Sequence, residues 1–162
     1  MRYILWQREL VEDAWRYWGE DGTGSALIVP FAEFRTNIAR WRACTAPLGV
    51  RLSPVDAVES LAADIQRLSL VAVEFPGPGE GRGYTQAHLL RRRFQFKGEL
   101  RAVGAAVKQD LLFIMARCGF NSFELAPGQN TAEALRAFGR YTVAYQPGEP
   151  LPSIKQQRYL AA

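Results

Sequence analysis

The sequence predicts an α/β domain in which about five strand–helix units form a parallel sheet, preceded by an N-terminal β-hairpin. Short apolar runs alternate with segments of helical periodicity, at roughly 20 to 25 residues per unit. The order strand, helix, strand implies parallel pairing with right-handed crossovers. Hydrophobic residues make up 48% and charged residues 22% of the chain, which argues against a largely disordered protein.

Periodicity leaves two arrangements open, a flavodoxin-like open sheet and an incomplete TIM-like barrel. Five units are too few for a full eight-stranded barrel. An incomplete barrel would expose edge strands, which the N-terminal hairpin or a second subunit could cover.

The strands are predicted from short apolar runs bounded by turn residues. Residues 70–75 are apolar almost throughout, as expected for a strand that is covered on both faces. In chain order, the predicted strands are residues 3–6, 10–11, 26–30, 49–52, 70–75, 99–103, 122–125 and 142–145.

The helices are predicted from apolar residues that recur three or four positions apart. Ser53 and Pro54 suit the start of the second helix, Gly119 the end of the fourth, and Asn130 or Thr131 the start of the fifth. The buried stripes of the first four helices are Phe31, Phe34, Ile38 and Trp41; Val58, Leu61, Ile65 and Leu68; Tyr84, Ala87, Leu90 and Phe94; and Val107, Leu111, Met115 and Cys118.

The length of 162 residues corresponds to about one domain. We expect residues 1–146 to form it and residues 147–162 to be a loosely ordered tail. No apolar run reaches the ~20 residues of a membrane span, and the N-terminus becomes charged too early for a signal peptide. We therefore expect a cytoplasmic protein in which Cys44 and Cys118 are thiols.

Two kinds of cofactor site are not predicted. The sequence has no CxxC pair and no HExxH motif, so no metal site is expected. Residues 77–83 are rich in glycine, but they match neither the GxGxxG fingerprint of nicotinamide cofactors nor a nucleotide P-loop. The cofactor stays unknown, and flavin is compatible with the sequence because barrel-type flavin sites have no short motif.

The glycine-rich loop is nevertheless a candidate anion pocket. It follows a central strand and enters a helix, where free backbone N–H groups favour an anion. We expect Arg82, Gly83 and Tyr84 to form the pocket, with Arg101 near it. The alternative is a flexible turn whose arginine bonds nearby carbonyl groups.

Three neighbouring strands each carry one ionisable residue among apolar residues. Strand alternation places Glu74, Arg101 and Glu124 on the face opposite to their apolar neighbours. Burying single charges costs several kcal/mol, so we expect the three to form one polar cluster. The cluster would be either part of a wet functional site or a structural salt bridge.

The net charge of +4 and the run Arg91-Arg92-Arg93 favour anionic partners. The simpler interpretation of this run is a solvated helix face. A basic RNA-binding module is a third functional reading, but it ranks last because no nucleic-acid motif is present.

Several stretches resemble the signature sequences of a bacterial family of unknown function that is associated with assimilatory sulfite reduction as an oxidoreductase. The similarity runs from about residue 10 to residue 146, nearly the whole domain. The most similar stretches are residues 11–15, 70–76, 81–84, 97–104 and 115–123.

The resemblance implies an accessory or redox protein of sulfite reduction, with a small oxyanion or components of the sulfite reductase as partners. It supplies no catalytic residues. The alternative is a non-catalytic partner that docks on the reductase through tryptophans and the Arg91–Arg93 run. The sequence is also compatible with a homo-oligomer. The sequence departs from the family pattern at Glu80, His88, Ala105 and Gln109-Asp110, which puts any role of the aspartates usual at positions 80, 105 and 109 in doubt.

Overall fold

A computed structural model of the chain describes residues 2–21 and 26–141. Within these ranges eight strands form one sheet in the order β2-β1-β8-β7-β6-β5-β4-β3. All neighbours from β3 to β8 are parallel, whereas β1 pairs antiparallel with both β2 and β8. The predicted α/β class with a mainly parallel sheet is confirmed. The strands are β1 (Tyr3–Trp6), β2 (Glu9–Glu12), β3 (Trp15–Tyr17), β4 (Ala26–Pro30), β5 (Leu48–Leu52), β6 (Leu70–Glu74), β7 (Glu99–Val103) and β8 (Ser122–Phe123).

The helices that connect these strands are short. The α-helices are α1 (Phe31–Thr36), α2 (Ile38–Arg42), α3 (Arg82–His88), α4 (Leu112–Arg117) and α5 (Thr131–Ala137). A π-helical turn, Leu89–Arg93, continues directly from α3. None of the helices in the described ranges is long and apolar enough to cross a lipid bilayer.

The regular repeat of about five strand–helix units is not observed. The connection from β5 to β6 contains two 3₁₀ turns, Val58–Leu61 and Ile65–Arg67, where the sequence predicted an α-helix. The predicted stripe is buried all the same, because residues three apart also share one side of a 3₁₀ turn. The strand β3 was not predicted. The predicted strand 142–145 and the predicted tail lie outside the described residues.

The sheet curls until its two edges come close together. Its edge strands β2 and β3 are separated in the chain by Asp13 and Ala14 alone. Three Cα–Cα steps span at most about 11 Å, so Glu12 and Trp15 cannot lie further apart. The parallel strands also follow one another in chain order without a reversal. This curled, open sheet is nearer to the incomplete barrel than to the doubly wound arrangement, and the hairpin covers the β8 edge.

Curling gives the sheet an outer and an inner face. The outer face carries the main hydrophobic core, including Val50, Val71 and Leu100, and the helices pack against it. The inner face carries a smaller apolar cluster of Ile28, Leu70, Ala72 and Val103, against which Trp15 and Tyr17 pack. Arg51, Glu74, Glu99 and Arg101 share this inner face, because they alternate with residues of the outer core or pair with inner-face residues of the neighbouring strands.

Candidate functional site

The inner face is organised around Arg101, whose side chain is 0% exposed in the middle of β7. Its two terminal nitrogens donate to the two carboxylate oxygens of Asp13, each at 2.8 Å. It also donates to Glu99 Oε1, and Arg2 Nε donates to Asp13 Oδ2 at 2.8 Å. These four residues, Arg2, Asp13, Glu99 and Arg101, are called the inner polar network.

Asp13 is held ionised by this network. Burial alone would raise its pKa, but the hydrogen bonds and charge of Arg101 outweigh burial and keep the pKa of Asp13 below its usual range. Because Asp13 lies in the two-residue connection between the edge strands, its ion pair with Arg101 ties that connection to the central strand β7. The network therefore stabilises the curled shape of the sheet.

This pKa shift predicts a loss of stability in acid. A lowered carboxyl pKa in the folded state stabilises the protein above the unfolded-state pKa of about 3.9, and this contribution decreases as the pH falls. The difference in unfolding free energy between wild type and Asp13→Asn should be constant above about pH 4 and should decrease below it. Urea unfolding between pH 2 and pH 7 measures this difference; a constant difference down to pH 2 would contradict the prediction.

Tyr17 lies beside the network at the carboxyl ends of the strands. Its hydroxyl donates to Glu124 Oε2 at 2.7 Å. Burial and the Glu124 charge raise the pKa of Tyr17. The guanidinium carbons of Arg2 and Arg51 lie 4.7 and 5.6 Å from the centre of its ring. Arg51 also donates to Glu74 Oε1 at 2.6 Å.

The sequence predicted that Glu74, Arg101 and Glu124 would form one cluster. The three residues share the inner face, but within the described residues no hydrogen bond or ion pair joins them directly. Each has another partner that the sequence did not predict: Arg51 for Glu74, Asp13 and Glu99 for Arg101, and Tyr17 for Glu124. Nothing local in the sequence marks such partners, since Arg101 and Asp13 are 88 positions apart.

The balance of charge on this face does not favour an anion. Four carboxylates in these contacts face three guanidiniums: Asp13, Glu74, Glu99 and Glu124 against Arg2, Arg51 and Arg101. Each of the three guanidiniums binds a carboxylate, and Glu124 accepts a hydrogen bond from the Tyr17 hydroxyl.

In the glycine-rich loop, the donors of Arg82 already bind a carboxylate of the same loop. The Glu80 carboxylate accepts from the backbone N–H of Arg82 at 2.9 Å, and from its Nε and a terminal nitrogen at 2.8 and 2.6 Å. These hydrogen bonds from Arg82 lower the pKa of Glu80 to about 2. An external oxyanion would have to compete with Glu80 for the same donors. Anion binding by Arg82, Gly83 and Tyr84 therefore stays a prediction.

The other loop residues contribute to packing. A Cβ atom at Gly83 would lie 2.5 Å from Phe75 Cζ, so the missing side chain lets the Phe75 ring sit against α3. The Tyr84 ring lies 5.1 Å from the Phe75 ring, and burial raises the pKa of Tyr84. Arg82 and Arg101 have no hydrogen-bond partner in common in the described part of the chain.

A cavity of about 620 Å³ lies at the opposite end of the sheet, where β7 and β8 begin. The β1–β2 turn, the π-helical turn and the two segments that precede β7 and β8 form its walls. We call it the basic cavity, and its lining residues are Gln7, Arg8, Arg91, Arg92, Gln95, Phe96, Lys97, Ala116, Gly119, Phe120, Asn121, Phe123 and Phe138.

The lining of the basic cavity is strongly asymmetric in charge. Arg8, Arg91, Arg92 and Lys97 line it, whereas none of its lining residues in the described ranges is Asp or Glu. The Arg91–Arg93 run is evident in the sequence but the cavity is not, because Arg8 and Lys97 reach it from other segments of the chain.

Arg91 is held in place by backbone oxygens. Its Nε donates to Gly119 O at 2.9 Å, and one terminal nitrogen donates to Phe96 O at 2.7 Å and Gly98 O at 3.0 Å. A Cβ atom at Gly119 would lie 2.6 Å from Arg91 Cγ, so glycine is needed for this arginine to pass. These carbonyl groups fix the position of the guanidinium.

Metal binding finds no support in the described ranges, where no three His, Cys, Asp or Glu side chains lie together as potential ligands. Both cysteines are free thiols, and burial raises the pKa of the Cys118 thiol.

Comparison with known proteins identifies the family. The sequence profile of DUF934, a family of bacterial proteins of unknown function, matches residues 49–153, more than half of the chain. No curated protein matches the sequence. The matched segment includes Glu74, Arg82, Arg101 and Glu124, and all of the basic cavity's lining except Gln7 and Arg8. The chain therefore belongs to the DUF934 family of bacterial proteins of unknown function.

Proposed function

We propose that the protein binds a small oxyanion in the basic cavity and serves assimilatory sulfite reduction as an accessory or redox protein. The observation that carries the binding proposal is the charge of the cavity, with four cationic side chains and no carboxylate among its described lining residues. The connection to sulfite reduction comes from the sequence resemblance, and sulfite is itself an oxyanion.

The basic cavity suits an anion better than the carboxyl ends of the strands do. At the carboxyl ends the arginines already bind carboxylates, as Arg51 binds Glu74 and Arg82 binds Glu80. In the basic cavity, no carboxylate is found among the described lining residues, and the side chain of Lys97 is exposed. An attraction between unit charges 4 Å apart amounts to about 4 kcal/mol near a protein surface, before desolvation is counted.

The first test removes one charge at a time from the cavity. Replacing Lys97 or Arg8 by glutamine should weaken the binding of sulfite and of phosphate roughly tenfold, because each change removes a charged hydrogen-bond donor. Isothermal titration calorimetry at low salt measures the dissociation constants.

The chain offers a matched control for Lys97. Lys97 precedes β7 and Lys108 follows it, and both side chains are exposed. Lys108→Gln removes the same charge at the other end of the same strand and should leave oxyanion binding unchanged. Equal weakening by both substitutions would indicate non-specific charge attraction and would refute a site in the basic cavity.

The exposed aromatic side chains of the hairpin favour a second candidate, a non-catalytic partner that docks on the sulfite reductase. Tyr3 and Trp6 are 54% and 42% exposed, the aliphatic Leu10 beside them is 48% exposed, and exposed tyrosine and tryptophan are typical anchors of interfaces. Co-purification of the reductase with the tagged protein, lost on Trp6→Ala and Leu10→Ser, is the expected result. Failure to co-purify at low salt would rule out this role.

A further inference from the structure

We propose that residues 154–159 of the chain pair, as an added strand, with the free edge of β2. This surface is separate from the basic cavity, and the proposal does not depend on anion binding there. Three observations support it: the unpaired backbone of β2, the carboxylates at both ends of that strand, and the charge of the segment that follows the described residues.

The backbone of β2 has an open side. Within the described residues β2 pairs with β1 alone. The Asp13 N–H donates to Arg2 O at 2.8 Å, and hydrogen-bonded pairs alternate with non-bonded pairs along an antiparallel ladder. Leu10 and Glu12 therefore belong to non-bonded pairs, and their N–H and C=O groups point away from β1. These groups are available to another strand.

The side chains along this edge are acidic and exposed. Glu9 and Glu12 are exposed, and neither makes a hydrogen bond or an ion pair in the described part of the chain. Leu10 lies between them and is 48% exposed, and Tyr3, 54% exposed, is its diagonal neighbour on the same face. An added strand would cover Leu10, and the two carboxylates favour a strand that carries cations.

The segment after α5 begins close to this edge. The Phe138 ring lies 5.2 Å from the Phe123 ring of β8, and β2 is two strands away from β8, about 10 Å. The sequence continues for 21 residues beyond Tyr141, from position 142 to position 162. The 13 residues from Tyr141 to position 154 span up to about 45 Å when extended. Residues 154–159 are therefore long enough a distance along the chain to reach the edge of β2.

The charges of this segment match the edge. Residues 153–162 contain no proline, so every residue there can donate to a ladder, and their only charged side chains are Lys155 and Arg158. These two cations are three positions apart, as are Glu9 and Glu12. Both opposite-charge pairs therefore form in the same register, whether the added strand is parallel or antiparallel to β2.

Two other pairings fit the charges less well. If β2 of a second copy paired antiparallel with β2 in full overlap, Glu9 would lie opposite Glu12 at both ends, and like charges in this position are destabilising. The other edge strand in the described ranges, β3, contains Arg16 and no carboxylate, so it does not attract a basic segment. The chain's own cationic segment is the occupant that matches β2.

The test exchanges the charges of the two strands in the full chain and follows amide hydrogen exchange by NMR at low salt. In the wild type we expect protection of the Leu10 and Glu12 amides. Lys155→Glu with Arg158→Glu should speed the exchange of these amides at least tenfold, because two attractions become repulsions. Adding Glu9→Lys and Glu12→Lys to that variant should restore the protection.

Two exposed carboxylates elsewhere in the fold provide a matched control. Asp110 precedes α4 and Glu133 lies in α5. Asp110→Lys with Glu133→Lys restores the net charge of the tail-reversed variant but leaves β2 unchanged. The Leu10 and Glu12 amides should then stay in fast exchange.

Each contrary outcome overturns the proposal. Unprotected Leu10 and Glu12 amides in the wild type, or exchange that is insensitive to reversal of Lys155 and Arg158, would show that the segment does not cover this edge. Failure of the lysines at positions 9 and 12 to restore protection would show that the charges do not pair across the two strands. Protection that is lost on tenfold dilution would identify a second copy as the occupant.

Discussion

Replacing Arg101 by leucine is expected to lower the free energy of unfolding by about 3–5 kcal/mol, the range for breaking a buried ion pair from one side. The side chains of Arg101 and Asp13 are both 0% exposed. The substitution leaves the Asp13 carboxylate buried, with only the partly exposed Arg2 as a charged partner. Because total stability is typically about 5–15 kcal/mol, a loss of this size would leave the protein marginally folded.

Urea unfolding, followed by tryptophan fluorescence and circular dichroism, measures this loss. Arg82→Leu is the control, since it removes an arginine from the exposed ion pair with Glu80 and should leave the unfolding midpoint nearly unchanged. A loss of less than about 1 kcal/mol for Arg101→Leu would mean that the pair behaves as a surface salt bridge and does not hold the curled sheet together.

Gly104→Ala is expected to lower the free energy of unfolding by about 3 kcal/mol or more, from backbone strain and overpacking together. Gly104 has φ +110°, and a Cβ atom there would lie 2.6 Å from Phe75 O. That oxygen accepts a hydrogen bond from Ala106 N at 3.1 Å, and Phe75 N donates to Val103 O at 2.7 Å. The contact is therefore with fixed backbone that cannot move aside.

Two other glycines serve as controls for strain and for space. Gly128 has φ +81° and nothing near its Cβ position, so Gly128→Ala should cost only the strain of roughly 1–2 kcal/mol. Gly79 has open space and no positive φ, so Gly79→Ala should leave stability nearly unchanged. Thermal and urea unfolding of the three variants give the comparison; equal losses for Gly104→Ala and Gly128→Ala would show that the Phe75 contact is not limiting.

Local periodicity was enough to predict most of the parallel strands and the face on which Glu74, Arg101 and Glu124 lie, because alternation along a strand depends only on neighbouring residues. It could not identify the ion partners, since these come from curling of the sheet, which brings distant segments together. Spacing of three residues fits both α-helical and 3₁₀ turns, so the form of residues 58–67 could not be read from the sequence.

The basic cavity could not be predicted from the sequence for a related reason. Its cations come from the hairpin turn, the π-helical turn and the segment before β7, and no single stretch contains more than a part of them. The positive φ of Gln7, Arg8 and Gln95 could not be predicted from their residue types either. Positive φ is expected from the sequence only where glycine or asparagine occurs.

The pairing of β1 with β8 has a consequence for the order of folding. Among the strands that the structure describes, β1 is synthesised first and β8 last, and Leu5 pairs directly with Phe123. A nascent chain can form the hairpin early, but β1 cannot pair with β8 until β8 has left the ribosome. Until β8 has been synthesised, the edge of β7 is unpaired, and until the hairpin docks, the edge of β8 is unpaired. An unpaired strand edge can pair with other chains, so a growing polypeptide is most vulnerable to aggregation at this stage.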